Sequence, residues 1–257
     1  MAILGLGEAG GCIARDLVGG GLDVLAWDPA PGRLVDGVSL ATGAAEAVAG
    51  RDVVLSLNSA LAALDAARSA LPGLAAGTVY ADLNTAAPRV KRDLAELVAP
   101  SGALFADVAL MSAVPGRGVR TPALVSGAGA AEFVRLFGSL GMPVEIVEGE
   151  AGAAAARKLL HSVFMKGLAA ALVESLRAAE AAGCGPWLRE DLVGVLESAG
   201  EPLLDRLVTG SSRHAVRRAV EMEAACELLA ELGVEPRVAA AARGWLDELA
   251  AEGAGVA

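Results

Sequence analysis

Two short apolar runs, Ala2-Ile3-Leu4 and Leu22-Asp23-Val24-Leu25-Ala26-Trp27, flank the hexapeptide Gly5-Leu6-Gly7-Glu8-Ala9-Gly10, and the second run ends in Asp28. No other feature narrows the available folds so much. A glycine-rich turn means little by itself in a chain with 32 glycines; its setting gives it meaning. Gly5 permits a tight turn out of a strand, Gly7 lets a backbone approach a pyrophosphate, and Gly10 lets the following helix pack closely on that strand. Residues 8–19 read as this helix, whose amino end offers unpaired N–H groups to phosphates. Asp28 lies 18 residues beyond Gly10, close to the spacing of about 20 expected for a carboxylate that accepts ribose hydroxyls. Gly5, Leu6, Gly7, Glu8, Ala9, Gly10 and Asp28 are therefore candidate cofactor-binding residues.

The rest of the first half fits that start. Apolar, β-branched runs at 2–6, 22–27, 52–57, 77–82, 103–109, 122–126 and 143–147 predict strands. Helical spacing is read at 43–50, 60–71, 87–99 and 130–140 between them. Such alternation predicts an α/β fold, a Rossmann-type doubly wound parallel sheet. Ligands then bind outside the carboxyl ends of the strands, where Asn58, Asn84 and Thr85 fall. From Gly149 the pattern becomes almost wholly helical, at 151–182, 186–199, 212–232 and 236–252. The predicted organisation is a dinucleotide-binding domain over 1–148 and an all-α domain over 149–257.

Charge and composition limit the partners. A net charge of −10 argues against nucleic acid, which demands basic patches, so anionic ligands need local arginines. Three separated cysteines, Cys12, Cys184 and Cys226, form neither a disulfide framework nor a metal site. The most apolar stretch, 153–173, is interrupted by Arg157, Lys158, His161 and Lys166. No membrane span is expected, and with no signal-peptide pattern the expected location is the cytoplasm.

Arginine supplies 18 of the 21 basic residues and lysine only three. Arginine cannot exchange a proton at neutral pH, whereas a lysine's pKa can fall on burial. Lys158, His161 and Ser162 share one face of the predicted long helix, a constellation suited to proton transfer and to holding a substrate oxygen. A buried Lys-His pair with a purely structural role has the same signature. The lone tyrosine, Tyr80, is followed four residues later by Asn84 rather than lysine, so no Tyr-x-x-x-Lys pair is present.

Three patterns in order resemble the β-hydroxyacid dehydrogenases, the superfamily of 3-hydroxyisobutyrate, tartronate semialdehyde and 6-phosphogluconate dehydrogenases. G-L-G-x-M-G is matched at residues 5–10 with Ala9 for methionine. D-x-S-T-x-x-P is matched by Asp82-Leu83-Asn84-Thr85-Ala86-Ala87-Pro88, with asparagine for serine, in a loop near the nicotinamide in relatives. The third, G-x-G-x-x-x-K-x-x-[NH]-N, is matched by Gly152, Lys158 and His161, with Ser162 at the last position. The resemblance implies Lys158 as general acid/base, with His161 and Ser162 binding substrate, and a homodimer formed through the helical domain. It implies a small anionic hydroxy acid or its oxo form as substrate.

Departures matter as well. Where relatives carry D-x-P-V-S-G-G, this chain has Asp107-Val108-Ala109-Leu110-Met111-Ser112-Ala113, leaving Ser112 as a candidate substrate contact. Met165 stands where the 6-phosphogluconate enzymes place a glutamate. Arg213 and Arg217, one helical turn apart, form a candidate carboxylate or phosphate clamp; pairing with Glu221 and Glu223 is the alternative. Asp28 favours NAD over NADP, while Arg33 could neutralise a 2′-phosphate. Imine or other non-acid carbonyl reduction, and non-catalytic NAD(P) sensing, stand as alternative functions.

Overall fold

The computed structural model describes residues 1–30 and 32–254. Eight strands form one sheet: β1 (Ala2–Leu4), β2 (Leu25–Trp27), β3 (Ser39–Leu40), β4 (Val53–Ser56), β5 (Val79–Asp82), β6 (Leu104–Leu110), β7 (Ala123–Ser126) and β8 (Val144–Ile146). Their order, β3-β2-β1-β4-β5-β6-β7-β8, reverses between β1 and β4, where a doubly wound sheet opens its ligand crevice. Every pairing is parallel except β6 with β7, so the doubly wound sheet carries one antiparallel turn-back near its edge. The link from Asp82 to Leu104 holds a helix, Pro88–Val98, whereas the link from Leu110 to Ala123 holds only a 3-10 turn at Gly118–Arg120. Without a crossover helix β7 returns antiparallel.

The helices of this half are α1 (Glu8–Gly19), α2 (Ala44–Val48), α3 (Ala63–Ala70), α4 (Pro88–Val98) and α5 (Ala130–Ser139). All residues of β4 and β5 are buried, as expected of central strands covered on both faces. One apolar layer packs α1 and α5 on the sheet through Ile13, Leu17, Phe133 and Phe137. The opposite layer packs α2, α3 and α4 through Val48, Ala67, Leu94 and Val98.

The second half comprises α6 (Ala153–Ala181), α7 (Gly185–Glu197), α8 (Glu201–Arg213), α9 (Ala215–Glu231) and α10 (Arg237–Ala254). α8 was not anticipated, and the helix expected over 212–232 is broken at His214. Gly200-Glu201-Pro202 starts α8 with proline in its first turn, a start signal the sequence does carry. Nothing at His214 resembles a helix breaker, so that break is invisible in composition.

By contact density the chain divides into Met1–His161 and Ser162–Ala257. The division falls inside α6, later than the predicted 148/149 boundary. The reason is local: the first turn of α6 is hydrogen-bonded to the sheet. Asp107 Oδ2 accepts from Gly152 N and Ala155 N, each at 3.0 Å, and Ser126 Oγ accepts from Ala154 N at 3.0 Å.

Candidate active site

The glycine loop behaves as its sequence suggests. Gly5 has φ +106°, and a Cβ there would sit 2.3 Å from the Leu57 carbonyl oxygen. A Cβ on Gly10 would sit 2.0 Å from the Gly5 carbonyl oxygen, so α1 approaches β1 as closely as only glycine allows. At Gly7 the nearest atom to such a Cβ is Arg33 Nη1 at 3.4 Å; the space over this residue is open to a ligand. α1 has no side-chain cap, which leaves its first-turn amides for an anion. A cavity of about 550 Å³ lies here, lined by Leu6, Gly7, Glu8, Arg33, Leu34 and Val35 among others.

Asp28 is fixed at the edge of this loop. Its Oδ2 accepts from Leu6 N at 2.7 Å and from Arg33 Nη1 at 3.2 Å, and its Oδ1 accepts from Ala30 N at 2.8 Å. Oδ1 retains an acceptor position for a ribose hydroxyl. The Arg33 side chain is 51% exposed and can swing aside or stay near a phosphate. Uncapped amides, tolerated close approach and a carboxylate with spare capacity together fit a dinucleotide.

Across the switch point the picture changes from open to closed. Ser56 Oγ, buried at the end of β4, accepts from Asn58 Nδ2 at 2.8 Å and from Asn84 Nδ2 at 3.3 Å. Asn84 Nδ2 also donates to Asp82 Oδ1 at 2.5 Å. Its amide hydrogens are therefore committed inside the protein, leaving only its oxygen for a ligand, while Thr85 beside it is exposed. Tyr80 is 0% exposed, and burial holds its hydroxyl far above the ordinary pKa; it cannot serve as a proton donor.

Lys158 lies near the amino end of α6 and is half-buried. It lines a closed crevice with Asn84, Thr85, Lys91, Asp107 and Ala155, so the helix face and the β5–α4 loop meet. Gly152 makes this approach possible: it has φ +102°, and a Cβ there would lie 2.8 Å from the Pro88 carbonyl oxygen. His161 is exposed and Ser162 half-buried. Ser112 is exposed in the loop after β6.

The arginine clamp does not form as expected. Arg213 ends α8 and Arg217 belongs to α9, so the pair does not share one helix turn. Arg217 Nη1 donates to Glu221 Oε1 at 2.6 Å, the alternative pairing. Glu223 instead meets Arg243 at 3.2 Å.

Sequence reasoning missed Lys91. Its side chain is 1% exposed, 2.7 Å from Asp82 Oδ2 and 3.2 Å from Asp107 Oδ1. A signal existed, because Lys91, Leu94 and Val98 are the buried residues of α4 and their i, i+3, i+7 spacing puts the lysine on the apolar stripe.

Residues 1–133 match the NAD binding domain of 6-phosphogluconate dehydrogenase, which is just over half of the chain. The chain belongs to the β-hydroxyacid dehydrogenase superfamily. Residues 179–249 match a domain of unknown function. A probable 3-hydroxyisobutyrate dehydrogenase of Mycobacterium tuberculosis is 30% identical over 193 residues, covering 71% of this chain and 65% of the relative. This chain thus spans slightly less than two thirds of that β-hydroxyacid dehydrogenase. A solved protein of unknown function, described as structurally similar to 3-hydroxyacid dehydrogenases, is 27% identical with TM-score 0.62, covering 98% of both chains. A reductive aminase from Aspergillus terreus, solved with NADPH4, cyclohexanone and allyl amine, shares the fold. Its TM-score is 0.82 at 20% identity, over 98% of this chain and 93% of that one. Within the superfamily, then, the first half of this chain is an NAD(P)-binding domain, and imine-reducing enzymes are among its structural neighbours.

Proposed function

We propose that this protein is an NAD(P)-dependent oxidoreductase that moves hydride between nicotinamide and a small hydroxy acid or its oxo form, with Lys158 as general acid/base. The observation that carries this reading is the meeting of Lys158 with Asn84 and Thr85 in one crevice. A bound nicotinamide cofactor supplies or accepts the hydride. Gly5, Gly7, Gly10 and the first turn of α1 hold its pyrophosphate, and Asp28 Oδ1 accepts from a ribose hydroxyl.

In the reducing direction the Lys158 ammonium donates a proton to the carbonyl oxygen; in oxidation the neutral amine removes the hydroxyl proton. His161 and Ser162 continue the same helix face and orient the substrate oxygen, and Ser112 donates from the loop after β6. Replacing Lys158 by methionine should lower kcat by about 10²–10⁴-fold, the usual contribution of a positioned acid/base, while cofactor affinity is kept. Unchanged turnover in a hydroxy-acid and oxo-acid panel would remove the assignment.

A second reading, reduction of an imine or non-acid carbonyl, is favoured by the likeness of fold to the reductive aminase and by Ala113 and Ser112 standing where a glycine pair would bind a carboxylate. Amine-plus-ketone assays separate the two. Asp28 favours NAD over NADP through its carboxylate; clearly tighter NADPH than NADH in parallel titrations would reverse that preference.

The protein is further proposed to act in the cytoplasm as a homodimer built on the helical half. An 18-residue window of α6 has mean hydropathy 1.4, and none of it is buried within the chain. By length and hydropathy that helix could cross a membrane. A second copy is the better cover, because the first turn of α6 is hydrogen-bonded to Asp107 and Ser126 of the sheet and leaves no free polar end to pass through a bilayer.

A further inference from the structure

Lys91 is a buried charge that the proposed reaction does not use. Its ammonium donates to the Asp82 carbonyl oxygen at 2.8 Å and to Asp82 Oδ2 at 2.7 Å, and it lies 3.2 Å from Asp107 Oδ1. The last contact is ionic rather than a well-directed hydrogen bond. With two donors bound to Asp82, the ammonium against the Asp107 carboxylate and a side chain 1% exposed, Lys91 is closed off from a ligand. Its role must be exerted through other residues.

The cluster carries one positive and two negative formal charges, a residual −1 in the interior. Buried ion pairs are weak stabilisers compared with apolar packing of the same volume, so stability alone is a poor reason for three charges here. Two features of the fold answer the surplus charge. Asp107 Oδ2 holds two first-turn amides of α6, at the positive end of that helix's dipole. Lys158, three residues beyond Ala155, lines the same crevice as Lys91 and Asp107. Among the described residues Asp107 is the carboxylate lining that crevice; nearby on α6, Arg157 is 3.9 Å from Glu145 and His161 is exposed.

We propose that the Asp82–Lys91–Asp107 cluster is a positioning device for Lys158: it ties the start of α6 to the middle of β6 and, through Lys91, to the end of β5, and it keeps one negative charge at the wall of the crevice that Lys158 lines. That charge sets the pH at which the amine gains and loses its proton. The inference rests on the catalytic reading of Lys158 for its purpose, but its physical content is testable without a substrate.

The test is competitive acetylation of the full-length protein by acetic anhydride across pH 7–11, with each lysine quantified by mass spectrometry. Lys166, exposed on α6, is the internal reference. Asp82→Asn and Asp107→Asn each take the cluster from −1 to neutral and should lower the Lys158 midpoint by about one pH unit, the size expected for one nearby charge. Lys91→Met takes it to −2 and should raise the midpoint, and Lys91→Met with Asp82→Asn should return it. The hydrogen bonds of Asp82 go to Asn84 and Lys91, whereas those of Asp107 include α6, so the Asp82 variant separates charge from direct anchoring of the helix. Lys166 should not move in any variant.

Unmoved Lys158 midpoints in both asparagine variants would overturn the proposal. Should those variants not fold, the wild-type protein decides: Lys91 must stay unlabelled until global unfolding, and labelling of Lys91 as fast as Lys166 would equally overturn it. If the midpoints move but Lys158→Met still turns over substrate, the cluster's action on Lys158 stands and the catalytic reading falls.

Discussion

Replacing Lys91 with methionine should destabilise the sheet domain far more than any surface lysine change. The variant leaves Asp82 and Asp107, both 0% exposed, without their cation. Removing one partner of a buried pair costs about 3–5 kcal/mol, because the remaining charge is uncompensated. That is a large part of the ~5–15 kcal/mol typical of a domain. At roughly 2–4 °C per kcal/mol for a domain of this size, the midpoint should fall by about 6–20 °C. The two carboxylates do not suffer equally. Asp107 keeps Gly152 N, Ala155 N and Ser126 Oγ, whereas Asp82 keeps only Asn84 Nδ2. Adding Asp82→Asn should therefore recover much of the loss, and Asp107→Asn much less. Urea unfolding read by Trp27 fluorescence, in a background with Trp187 and Trp245 changed to phenylalanine, reports the sheet domain alone. A loss below about 1 kcal/mol for Lys91→Met, or equal recovery by the two asparagine variants, would refute this reasoning.

Other outcomes follow from individual contacts. Arg33→Ala should weaken NADPH by about tenfold or more, the loss expected for a charge-assisted contact, and change NADH little; equal effects on both, measured by fluorescence titration, would exclude a role at the 2′-phosphate. Gly10→Ala, whose Cβ would lie 2.0 Å from the Gly5 carbonyl oxygen, should abolish cofactor binding, as calorimetry would detect. Arg217→Ala should leave apparent substrate affinity within about twofold, since Arg217 is held by Glu221 in an exposed pair of small energetic value; a large KM rise would restore the clamp. Phe164, 62% exposed on α6, should tolerate glutamate in a monomer but break a dimer, which light scattering would register as a halved mass.

The fold was legible wherever local pattern and tertiary role agree. β4 and β5 read as continuous apolar runs because both faces are buried, and Gly5 and Gly10 were identified by the same steric need that their near contacts display. The elements that escaped depend on partners remote in sequence. β3 has only two exposed residues, Ser39 and Leu40, and exists because β2 offers it an edge. The break at His214 falls inside the helix expected over 212–232, and α8 before it was not expected at all. The end of the sheet domain was placed early because composition changes at Gly149, while the anchoring of α6 by Asp107 and Ser126 depends on hydrogen bonds spanning 28 to 48 residues.

Lys91 and Lys158 show why the site was only half legible. Both stand out in a chain that uses arginine for almost all its positive charge, and both sit on helices. Lys158 was singled out because small residues precede it and His161 and Ser162 follow on its face, a pattern local to one helix. The pattern of Lys91 is local too, since it shares a stripe with Leu94 and Val98, but its meaning comes from Asp82 at the end of β5 and Asp107 in the middle of β6. A lysine on an apolar stripe states that a buried charge must be answered; it does not name the answering residues. In parallel strands of a doubly wound sheet, however, those residues can be anticipated. An aspartate that closes one strand and another opening the loop pattern of the next, at Asp82 and Asp107, are in register as neighbours. Given the strand order, two in-register carboxylates and one lysine on the connecting helix are enough to place the cluster before any side chain is seen.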